Sequence, residues 1–352
     1  MLRTATRVLL RPLCRHTRAY ATADISVIVG EPPEPPNVPS TLDSRILDAL
    51  ARVPSSSRAS LPQLIQQYLD RSGNVLDAHL HYESRPSDTR RLSFESLQSG
   101  GTDAPVHLLA HVVQEGNRHK ITLSSAFALN ATGDTPGESL IISCAHTLEE
   151  IRRSPLLVLP STPPSPTYTA DITGNRSSGS LILSSPATLA SPITANPILS
   201  VLSSLPRSDI LIFACAPPAP MRTLPVSLYP AHPGTRVHAH FVAHARPEEE
   251  GWEPWIEGTW AKWVSGTVLG YRDFAGREAE PGTYDSLSHM LFTPPPTAGS
   301  SGGPIIDEES GAVVGVMLGS RMDSVAEGVR GWGVPSEAIF EMFSLPGLNL
   351  KK

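Results

Sequence analysis

From Pro105 onwards, the chain consists of short apolar segments separated by turns rich in glycine, proline and serine. Segments of this length and composition are typical of β-strands. The 35 prolines of the chain interrupt helices and indicate long connecting loops. With 352 residues, 40% of them hydrophobic, the chain can bury one large core or two medium ones. We therefore expect strands, and not helices, to dominate beyond this point.

The apolar segments predict strands at Val106–Val113, Lys120–Leu129, Ser139–Cys144, Gly179–Leu183, Ile210–Cys215, Thr235–Ala243, Trp263–Tyr271, Ser288–Phe292 and Ala312–Leu318. A terminal helix is expected at Ser336–Phe343. Before the strands, apolar spacing predicts helices at Thr41–Val53 and Ser60–Arg71. These two helices either pack on the strands or form a small regulatory extension.

A glycine-flanked serine lies in the segment Thr297-Ala-Gly-Ser-Ser-Gly-Gly-Pro-Ile-Ile306. Glycines on both sides of Ser301 let the backbone turn tightly and leave its hydroxyl accessible. They also allow two backbone N–H groups, those of Gly299 and Ser301, to converge on one point, as an oxyanion hole requires. A plain Gly/Ser turn between strands explains the same letters.

Chain order restricts the kind of site that Ser301 can belong to. The segment satisfies the G-x-S-x-G pattern of α/β-hydrolases, in which the histidine follows the serine. No histidine follows Ser301 here, since the last one is His289. The α/β-hydrolase interpretation is therefore excluded, and the orders His–Asp–Ser and Asp–His–Ser remain.

Two upstream residues are placed as partners for this serine. His146 follows the apolar segment that ends in Ser-Cys-Ala, so a strand would hold its imidazole as a general base. Asp209 precedes the apolar segment Ile-Leu-Ile-Phe, where a carboxylate can orient that imidazole. Taken alone, Asp209 reads as an ordinary turn residue.

These three motifs resemble those of chymotrypsin/trypsin-like serine peptidases. Ser-Cys-Ala-His146 is similar to their Thr-Ala-Ala-His, Ser-Asp209-Ile-Leu-Ile to their Asp-Ile-Ala-Leu-Leu, and Gly299-Ser-Ser301-Gly-Gly-Pro to their Gly-Asp-Ser-Gly-Gly-Pro. The separations, 209 − 146 = 63 and 301 − 209 = 92 residues, suit one triad member in a first barrel, one near the junction and one in a second. The resemblance covers roughly residues 106 to 345.

The resemblance implies an all-β protein of two chymotrypsin-like six-stranded β-barrels, with a helical N-terminal extension and a short C-terminal helix. The barrels would occupy about residues 105–216 and 226–334, joined by the proline cluster Pro217–Pro225. His146, Asp209 and Ser301 would form the triad of a serine endopeptidase, with the N–H groups of Gly299 and Ser301 as oxyanion hole. An inert peptidase fold that serves as a binding or assembly module is the alternative.

Two departures from the secreted trypsins refine this expectation. Ser300 replaces the aspartate that receives the new amino terminus after zymogen cleavage, so such activation is not expected. The segment Gly331-Trp-Gly-Val-Pro-Ser-Glu-Ala-Ile339 resembles the one that leads into the last helix of HtrA-like (DegP-like) peptidases, with no room for a PDZ domain after it.

The resemblance also places a specificity pocket. Its floor falls six residues before Ser301, at Pro295, and its wall at Val316, Met317 and Leu318. Because Pro295 is not acidic, cleavage after Arg or Lys is not expected. A small or medium apolar side chain is the expected occupant.

Residues 1–20 differ in composition from the rest of the chain. They contain arginines at helical spacing and no acidic residue, the first of which is Asp24. This pattern predicts a mitochondrial presequence, with a mature start near Ala21. An exposed basic arm is the alternative. The expected domains are therefore 1–20, an extension over 21–104 with a Pro-rich linker, and a peptidase domain over 105–352.

The remaining features predict no cofactor. His238, His240 and His244 alternate with apolar residues, which a solvated strand face explains without a metal. The tryptophans near Glu248–Glu250 are expected to pack, and Cys144 and Cys215 to be free and buried. Net charge −6 gives no reason to expect nucleic acid. We expect protein or peptide substrates and no stable membrane insertion.

Overall fold

The fold was analysed in a computed structural model of the chain. It describes residues 39–83, 104–132, 137–157, 176–184, 193–324 and 327–344. The predicted presequence and most of the Pro-rich linker lie outside these ranges. In the helices of the described ranges, none has the length and apolar composition needed to cross a membrane.

The first half of the described strands closes into a barrel. Its strands are β1 (Val106–Glu115), β2 (Arg118–Leu129), β3 (Ser139–Cys144), β4 (Arg176–Ser184), β5 (Thr194–Leu205) and β6 (Ile210–Cys215). Antiparallel pairing runs β1–β2–β3–β6–β5–β4 and returns from β4 to β1. We call this six-stranded closed sheet barrel one.

The second half repeats this arrangement. Its strands are β7 (Arg236–Ala243), β8 (Trp260–Arg272), β9 (His289–Thr293), β10 (Pro304–Asp307), β11 (Val313–Ser324) and β12 (Gly328–Pro335). Pairing runs β7–β8–β9–β12–β11–β10 and back to β7, which is the strand order of barrel one. The sequence contains no repeat visible by eye, so the two halves share their topology without an evident sequence similarity. The predicted all-β fold of two six-stranded barrels is confirmed.

Two-residue strands complete the β-structure of the described ranges. They are His79–Leu80, Tyr82–Glu83, Ala131–Thr132, Thr223–Leu224, Val226–Ser227, Glu253–Pro254 and Glu278–Ala279. Two of them lie within or just after the proline cluster expected to connect the barrels, and each pairs in parallel with a barrel strand, β2 and β11 respectively. The connection is therefore held against both barrels.

Four α-helices are described: α1 (Thr41–Arg52), α2 (Leu61–Asp70), α3 (His146–Arg152) and α4 (Glu337–Phe340). Single turns of 3-10 helix lie at Ser55–Ser57 and Pro206–Ser208. Ser40 and Ser60 each form a capping box that satisfies backbone N–H groups at the start of α1 and α2. The terminal helix α4 is shorter than the sequence predicted.

Helices α1 and α2 pack on barrel one, which settles the choice that the sequence left open. Ile46 and Leu50 of α1 share a core with strands β1 and β4, and Leu61 and Leu64 of α2 lie in the barrel-one core itself. Between the helices, Arg58 donates hydrogen bonds to the carbonyls of Leu50, Val53 and Ser178. The extension is thus part of the folded unit that carries barrel one.

The structure corrects one sequence expectation about the histidines of β7. His240 does not lie on a solvated face: it is buried between the rings of Trp255 and Trp263, with centroids 5.0 Å from each. Trp255, which follows the strand in sequence, and Trp263 of β8 cover His240 from solvent. Cys144 and Cys215 are free and buried, as predicted.

Candidate active site

His146 and Asp209 meet at one end of barrel one. His146 is the first residue of α3, with only Ala145 between it and β3, and Asp209 directly precedes β6, which pairs with β3. Oδ2 of Asp209 accepts a hydrogen bond from Nδ1 of His146 at 2.6 Å. Oδ1 accepts the backbone N–H groups of His146 at 2.7 Å and Ala145 at 3.1 Å. The carboxylate therefore fixes both the imidazole and the backbone that carries it.

The backbone of Asp209 adopts a left-handed conformation, with φ 56° and ψ 35°. Aspartate tolerates this region better than most residues, although it is uncommon outside glycine. The conformation closes the 3-10 turn Pro206–Ser208 and directs the carboxylate toward β3. Local strain and the hydrogen bonds to His146 thus occur at the same residue, as is common at functional sites.

The surroundings of His146 set its protonation. Burial by itself lowers the pKa of the imidazole, but hydrogen bonds to Asp209 and Cys144, together with the negative charge of Asp209, outweigh burial and raise the pKa of His146 above its ordinary value of 6.5. Hydrogen bonding to the charged form stabilises that form. The site therefore favours an imidazole that readily accepts a proton.

Ser301 lies in the loop between β9 and β10 of barrel two. The preceding residue, Ser300, anchors that loop to β7. The side chain of Ser300 is fully buried, and its Oγ accepts the backbone N–H of Val242 at 2.9 Å. Thr297 Oγ1 donates to the Val242 carbonyl at 2.7 Å. Where the secreted trypsins use an aspartate, this chain fixes the loop through neutral hydrogen bonds to β7.

The same loop is fastened to barrel one. The backbone N–H of Ser125 on β2 donates to the carbonyl of Ser301 at 2.8 Å, and Ser125 Oγ donates to the carbonyl of Gly299 at 3.0 Å. Gly302 has φ +83°, and a Cβ at this position would lie 2.2 Å from the Ser125 carbonyl oxygen and 2.8 Å from the Cys144 nitrogen. Only glycine allows this approach of the loop to barrel one.

The N–H groups expected to form an oxyanion hole are unengaged. Gly299 N–H and Ser301 N–H donate to no acceptor within the described residues, whereas Ser300, Gly302 and Gly303 donate to Thr297, Met317 and Ser300. Gly299 has φ +94°, which turns the peptide that follows it. Two free donors one residue apart at a loop are suited to binding a carbonyl oxygen that gains negative charge.

Ser301 and His146 are not hydrogen-bonded to one another in the described structure. Ser301 Oγ instead donates to the carbonyl of Leu318 at 2.9 Å. His146 Nε2 lies 3.6 Å from the sulfur of Cys144. Ser301 Oγ and His146 Nε2 are the two groups expected to exchange a proton. Both lie where the serine loop meets barrel one, but each contacts a different partner. The Ser301 hydroxyl would have to leave the Leu318 carbonyl and turn toward His146 before any proton transfer.

The expected specificity residues occupy different environments. Val316 and Met317 are fully buried in β11, and Leu318 is half-buried. The backbone of Met317 bonds to Gly302 and Gly303, which ties β11 to the serine loop. Pro295 is exposed at the start of that loop. The pocket that these residues were expected to form remains a prediction.

Sequence reasoning missed the contact of His244 with the serine loop. His244 follows β7, and a Cβ on Gly299 would lie 2.7 Å from its Nε2. The imidazole thus lies against the expected oxyanion peptide, and burial lowers its pKa. Spacing along the sequence carries no sign of this contact, because it depends on how the loop returns across β7. No group of three or more possible metal ligands occurs within the described ranges.

Two closed barrels with a His–Asp pair and a glycine-flanked serine loop at their junction define a trypsin-like serine peptidase fold. The family model described as trypsin-like peptidase domain matches residues 124–316, more than half of the chain, and includes His146, Asp209 and Ser301. The chain belongs to this family. No curated protein matches the chain.

Several solved structures are similar to the chain. The protease domain of MamO from Magnetospirillum magneticum, in its apo form, is 15% identical, with 68% of this chain and 97% of that chain covered and a TM-score of 0.38. The Rv3671c protease from M. tuberculosis, in its active form, is 17% identical, with 74% and 86% covered and a TM-score of 0.38. Deg5 is 12% identical, with 72% and 99% covered and a TM-score of 0.40. Likeness at this level does not assign an activity.

Proposed function

We propose that the protein is a serine endopeptidase that hydrolyses peptide bonds through Ser301, His146 and Asp209. The observation that carries the proposal is the 2.6 Å bond between Asp209 and His146 beside a serine loop with two unengaged N–H groups. A carboxylate that holds the Nδ1–H tautomer leaves Nε2 as the proton acceptor. No other pair of His and Asp in the described ranges adjoins a glycine-flanked serine.

The reaction would begin with attack of Ser301 Oγ on the scissile carbonyl carbon. His146 Nε2 accepts the hydroxyl proton and then gives it to the leaving amine nitrogen as the peptide C–N bond breaks. The N–H groups of Gly299 and Ser301 hold the carbonyl oxygen while it carries negative charge. A water molecule then repeats the sequence on the acyl-enzyme, with the proton passing through the same nitrogen, and releases the acid product.

The described contacts of Ser301 and His146 indicate what substrate binding has to change. The Leu318 carbonyl, which accepts the Ser301 hydroxyl, lies where the edge of β11 has no strand partner in the described ranges and can instead accept an N–H of a substrate strand. Losing its acceptor frees the serine hydroxyl to turn toward His146. Binding of a peptide would thus assemble the proton-transfer pair.

A fluorophosphonate probe tests the proposal directly, because it reacts covalently with an activated serine. We expect labelling of the wild-type chain and none of Ser301→Ala. The matched control is Ser286→Ala, which removes an exposed serine from a barrel-two loop and should keep full labelling. Equal labelling of wild type and Ser301→Ala would overturn the assignment of the nucleophile.

One observation favours a second candidate, a peptidase fold that binds partners without cleaving them. In the described structure Ser301 and His146 each contact another group, Leu318 and Cys144. If that arrangement persists with substrate bound, no hydrolysis occurs. A folded wild-type chain that binds peptides but neither reacts with the probe nor cleaves them would establish this candidate.

We further propose that residues 1–20 deliver the protein to mitochondria and are removed near Ala21. The support is the arginine-rich, acid-free composition of that segment. A fluorescent fusion of the full chain should enter mitochondria, and the fusion that begins at Ala21 should not. Equal distribution of the two fusions would contradict the proposal.

Pro295, Val316, Met317 and Leu318 are proposed to shape a pocket for a small or medium apolar side chain next to the cleaved bond. The support is that position 295 is a proline and not an acidic residue, and that β11 is apolar beside the serine loop. Cleavage profiling of a peptide library should then show no preference for Arg or Lys at that position. A dominant basic preference would refute this pocket.

A further inference from the structure

A row of three contacting rings on barrel two, joined by one arginine from barrel one, lies beside the candidate triad. Arg207 lies over the ring of Phe274 at 4.8 Å, and Phe274 meets His289 edge-on with centroids 6.0 Å apart. His289 stacks on Trp332 at 4.3 Å, and Arg321 lies over Trp332 at 4.5 Å. The row thus ends in a guanidinium at each side, one from each barrel.

The two arginines at the ends of the row have no carboxylate partner among the described residues. Arg330, directly opposite Arg321 in the sheet, pairs with Asp323, which also binds Arg272 at 3.1 Å. Asp273, next to Phe274, forms an ion pair with Arg277. Every one of these nearby carboxylates thus serves another arginine, which leaves Arg207 and Arg321 as exposed cations on rings.

Arg207, Arg321 and the row of rings between them lie next to the expected site of cleavage. Arg207 is two residues before Asp209, and the charges of both Arg321 and Asp209 act on His289. Arg321 follows Leu318 by three residues on the strand whose Gly319 faces the Ser301 hydroxyl, since a Cβ there would lie 3.9 Å from Oγ. A peptide at Ser301 would therefore pass close to both arginines.

The open edge of β11 gives that peptide a direction. Strand β10 pairs with β11 only as far as Val316, so the same edge beyond Leu318 has no strand partner in the described ranges. A peptide that pairs antiparallel there, as the six strands of each barrel do with one another, runs from Arg321 toward Leu318. Its residues on the N-terminal side of the cleaved bond then lie beside the arginines.

We propose that Arg207, Arg321 and the ring row between them form a binding site for acidic side chains on the N-terminal side of the cleaved bond. The inference rests on the proposed peptidase function and adds a substrate class, peptides with Asp or Glu in the few residues before the bond. A guanidinium binds a carboxylate through two parallel hydrogen bonds and keeps its charge at any relevant pH. Stacking on an aromatic ring holds each guanidinium in place before the substrate arrives.

The experiment measures binding with the Ser301→Ala chain, so that no cleavage is needed. Three fluorescein-labelled peptides of equal length carry two Asp, two Asn or two Lys residues before the same bond. We expect the Asp peptide to bind more tightly than the Asn peptide, and the Lys peptide least. Replacing either arginine with glutamine should weaken binding of the Asp peptide by roughly two- to fivefold. Raising the salt concentration should reduce the preference for the Asp peptide over the Asn peptide.

Arg236→Gln is the matched control, because Arg236 is an exposed barrel-two arginine that already pairs with Glu308. It should leave the order of the three peptides unchanged. Equal binding of the Asp and Asn peptides, or the same loss in Arg236→Gln as in Arg321→Gln, would overturn the inference. A wild-type chain that binds the Asp peptide best without cleaving it would refute the peptidase function and leave the acidic site standing.

Discussion

The two barrels share one strand order but hold their parts of the candidate site in different ways. Barrel one carries His146 and Asp209 at the ends of β3 and β6, whose ladder pairs Cys144 with Ile210. Barrel two carries Ser301 on a loop that no ladder contains, and hydrogen bonds from Val242 and Ser125 hold this loop from opposite sides. One contribution is fixed by sheet geometry, and the other depends on the junction of the two barrels.

This difference accounts for the contacts in the described structure. The His146–Asp209 bond is formed, because both residues extend from paired strands. The bond between Ser301 and His146 is not formed, and the hydroxyl on the loop donates to the Leu318 carbonyl instead. Two barrels with the same strand order can therefore hold their polar groups with different rigidity. The difference depends on whether a paired strand or a loop carries the group.

The largest expected effect comes from the firmly held pair. Asp209→Asn should lower kcat/KM by about 10⁴, because the amide favours the wrong tautomer of the imidazole. It also lowers the pKa of His146 by removing a group that raises it. The acidic limb of the activity profile should then move to lower pH, since His146 must be neutral to act as base. Peptide cleavage followed from pH 5 to 11 measures both changes.

The stability of this variant has its own pH dependence. A folded pKa of His146 above 6.5 means that the pair stabilises the protein fully below pH 6.5 and loses that contribution as the pH rises through the folded pKa. The gap in melting temperature between wild type and Asp209→Asn should therefore narrow at alkaline pH. The exposed Asp285→Asn is the control. A gap that widens with pH would contradict the assignment.

Gly302→Ala probes the barrel junction and should have the next largest effect. Its Cβ would overlap the backbone of Ser125 and Cys144, and the left-handed φ of +83° adds strain. We expect a loss of about 3 kcal/mol or more in unfolding free energy, measured by urea denaturation. Gly234→Ala is the matched control, because its φ is +91° and nothing lies within 4 Å of the added Cβ. If both variants lost the same amount, φ alone would explain the effect and the junction would not be specially tight.

Buried histidines of the equivalent strands β1 and β7 should weaken the fold in acid. Burial lowers the pKa of His107 to about 4 and of His111 and His240 to about 3. Because the unfolded state takes up protons first below pH 6.5, stability should fall by about 1.4 kcal/mol per pH unit for each histidine between pH 6.5 and 4. Denaturant unfolding at several pH values measures the slope.

Replacing one of these histidines tests the cause of that slope. His111→Gln can keep a hydrogen bond to Ser180, which His111 contacts at 2.6 Å, but cannot take up a proton. The slope should lose the contribution of one proton. His79→Gln, which removes an exposed imidazole, should leave the slope as it is in the wild type. An unchanged slope in His111→Gln would mean that other groups cause the acid instability.

The smallest expected effect concerns Cys144, whose sulfur contacts Nε2 of His146. Cys144→Ala removes a group that raises the pKa of His146, so the base stays neutral to lower pH and the acidic limb of activity shifts the same way. We expect a few-fold gain in kcat/KM on that limb. Cys144→Ser keeps a polar group beside Nε2 and should shift the limb less. Identical profiles for all three chains would show that the contact has no influence on the base.

Much of this structure was predictable from the sequence. The spans Ser139–Cys144 and Ile210–Cys215 have the predicted bounds, because each is a compact apolar segment between turns. The meeting of His146 with Asp209 followed from their positions at the ends of such segments. The strand-rich composition predicted a β-protein, and the resemblance of the three motifs to those of trypsin-like peptidases implied the two barrels.

Other features could not be read from local pattern. Strand β5 contains Pro197 and several serines, which hide its strand character. Strand β12 contains Gly331, where a Cβ would lie 2.6 Å from the ring of Phe292. The anchoring of the loop by Ser125 and the contact of Cys144 with Nε2 depend on how distant segments pack. Such contacts have no periodic signature along the chain.

The passage of Gly302 between Ser125 and Cys144 has a consequence for biogenesis. Ser301 reaches its observed position only after both barrels have closed and packed together, so a partly synthesised chain would hold His146 and Asp209 without Ser301 beside them. On the proposed function, peptidase activity would then appear only when folding is complete. An active enzyme with this arrangement would be unable to cleave its own chain during synthesis.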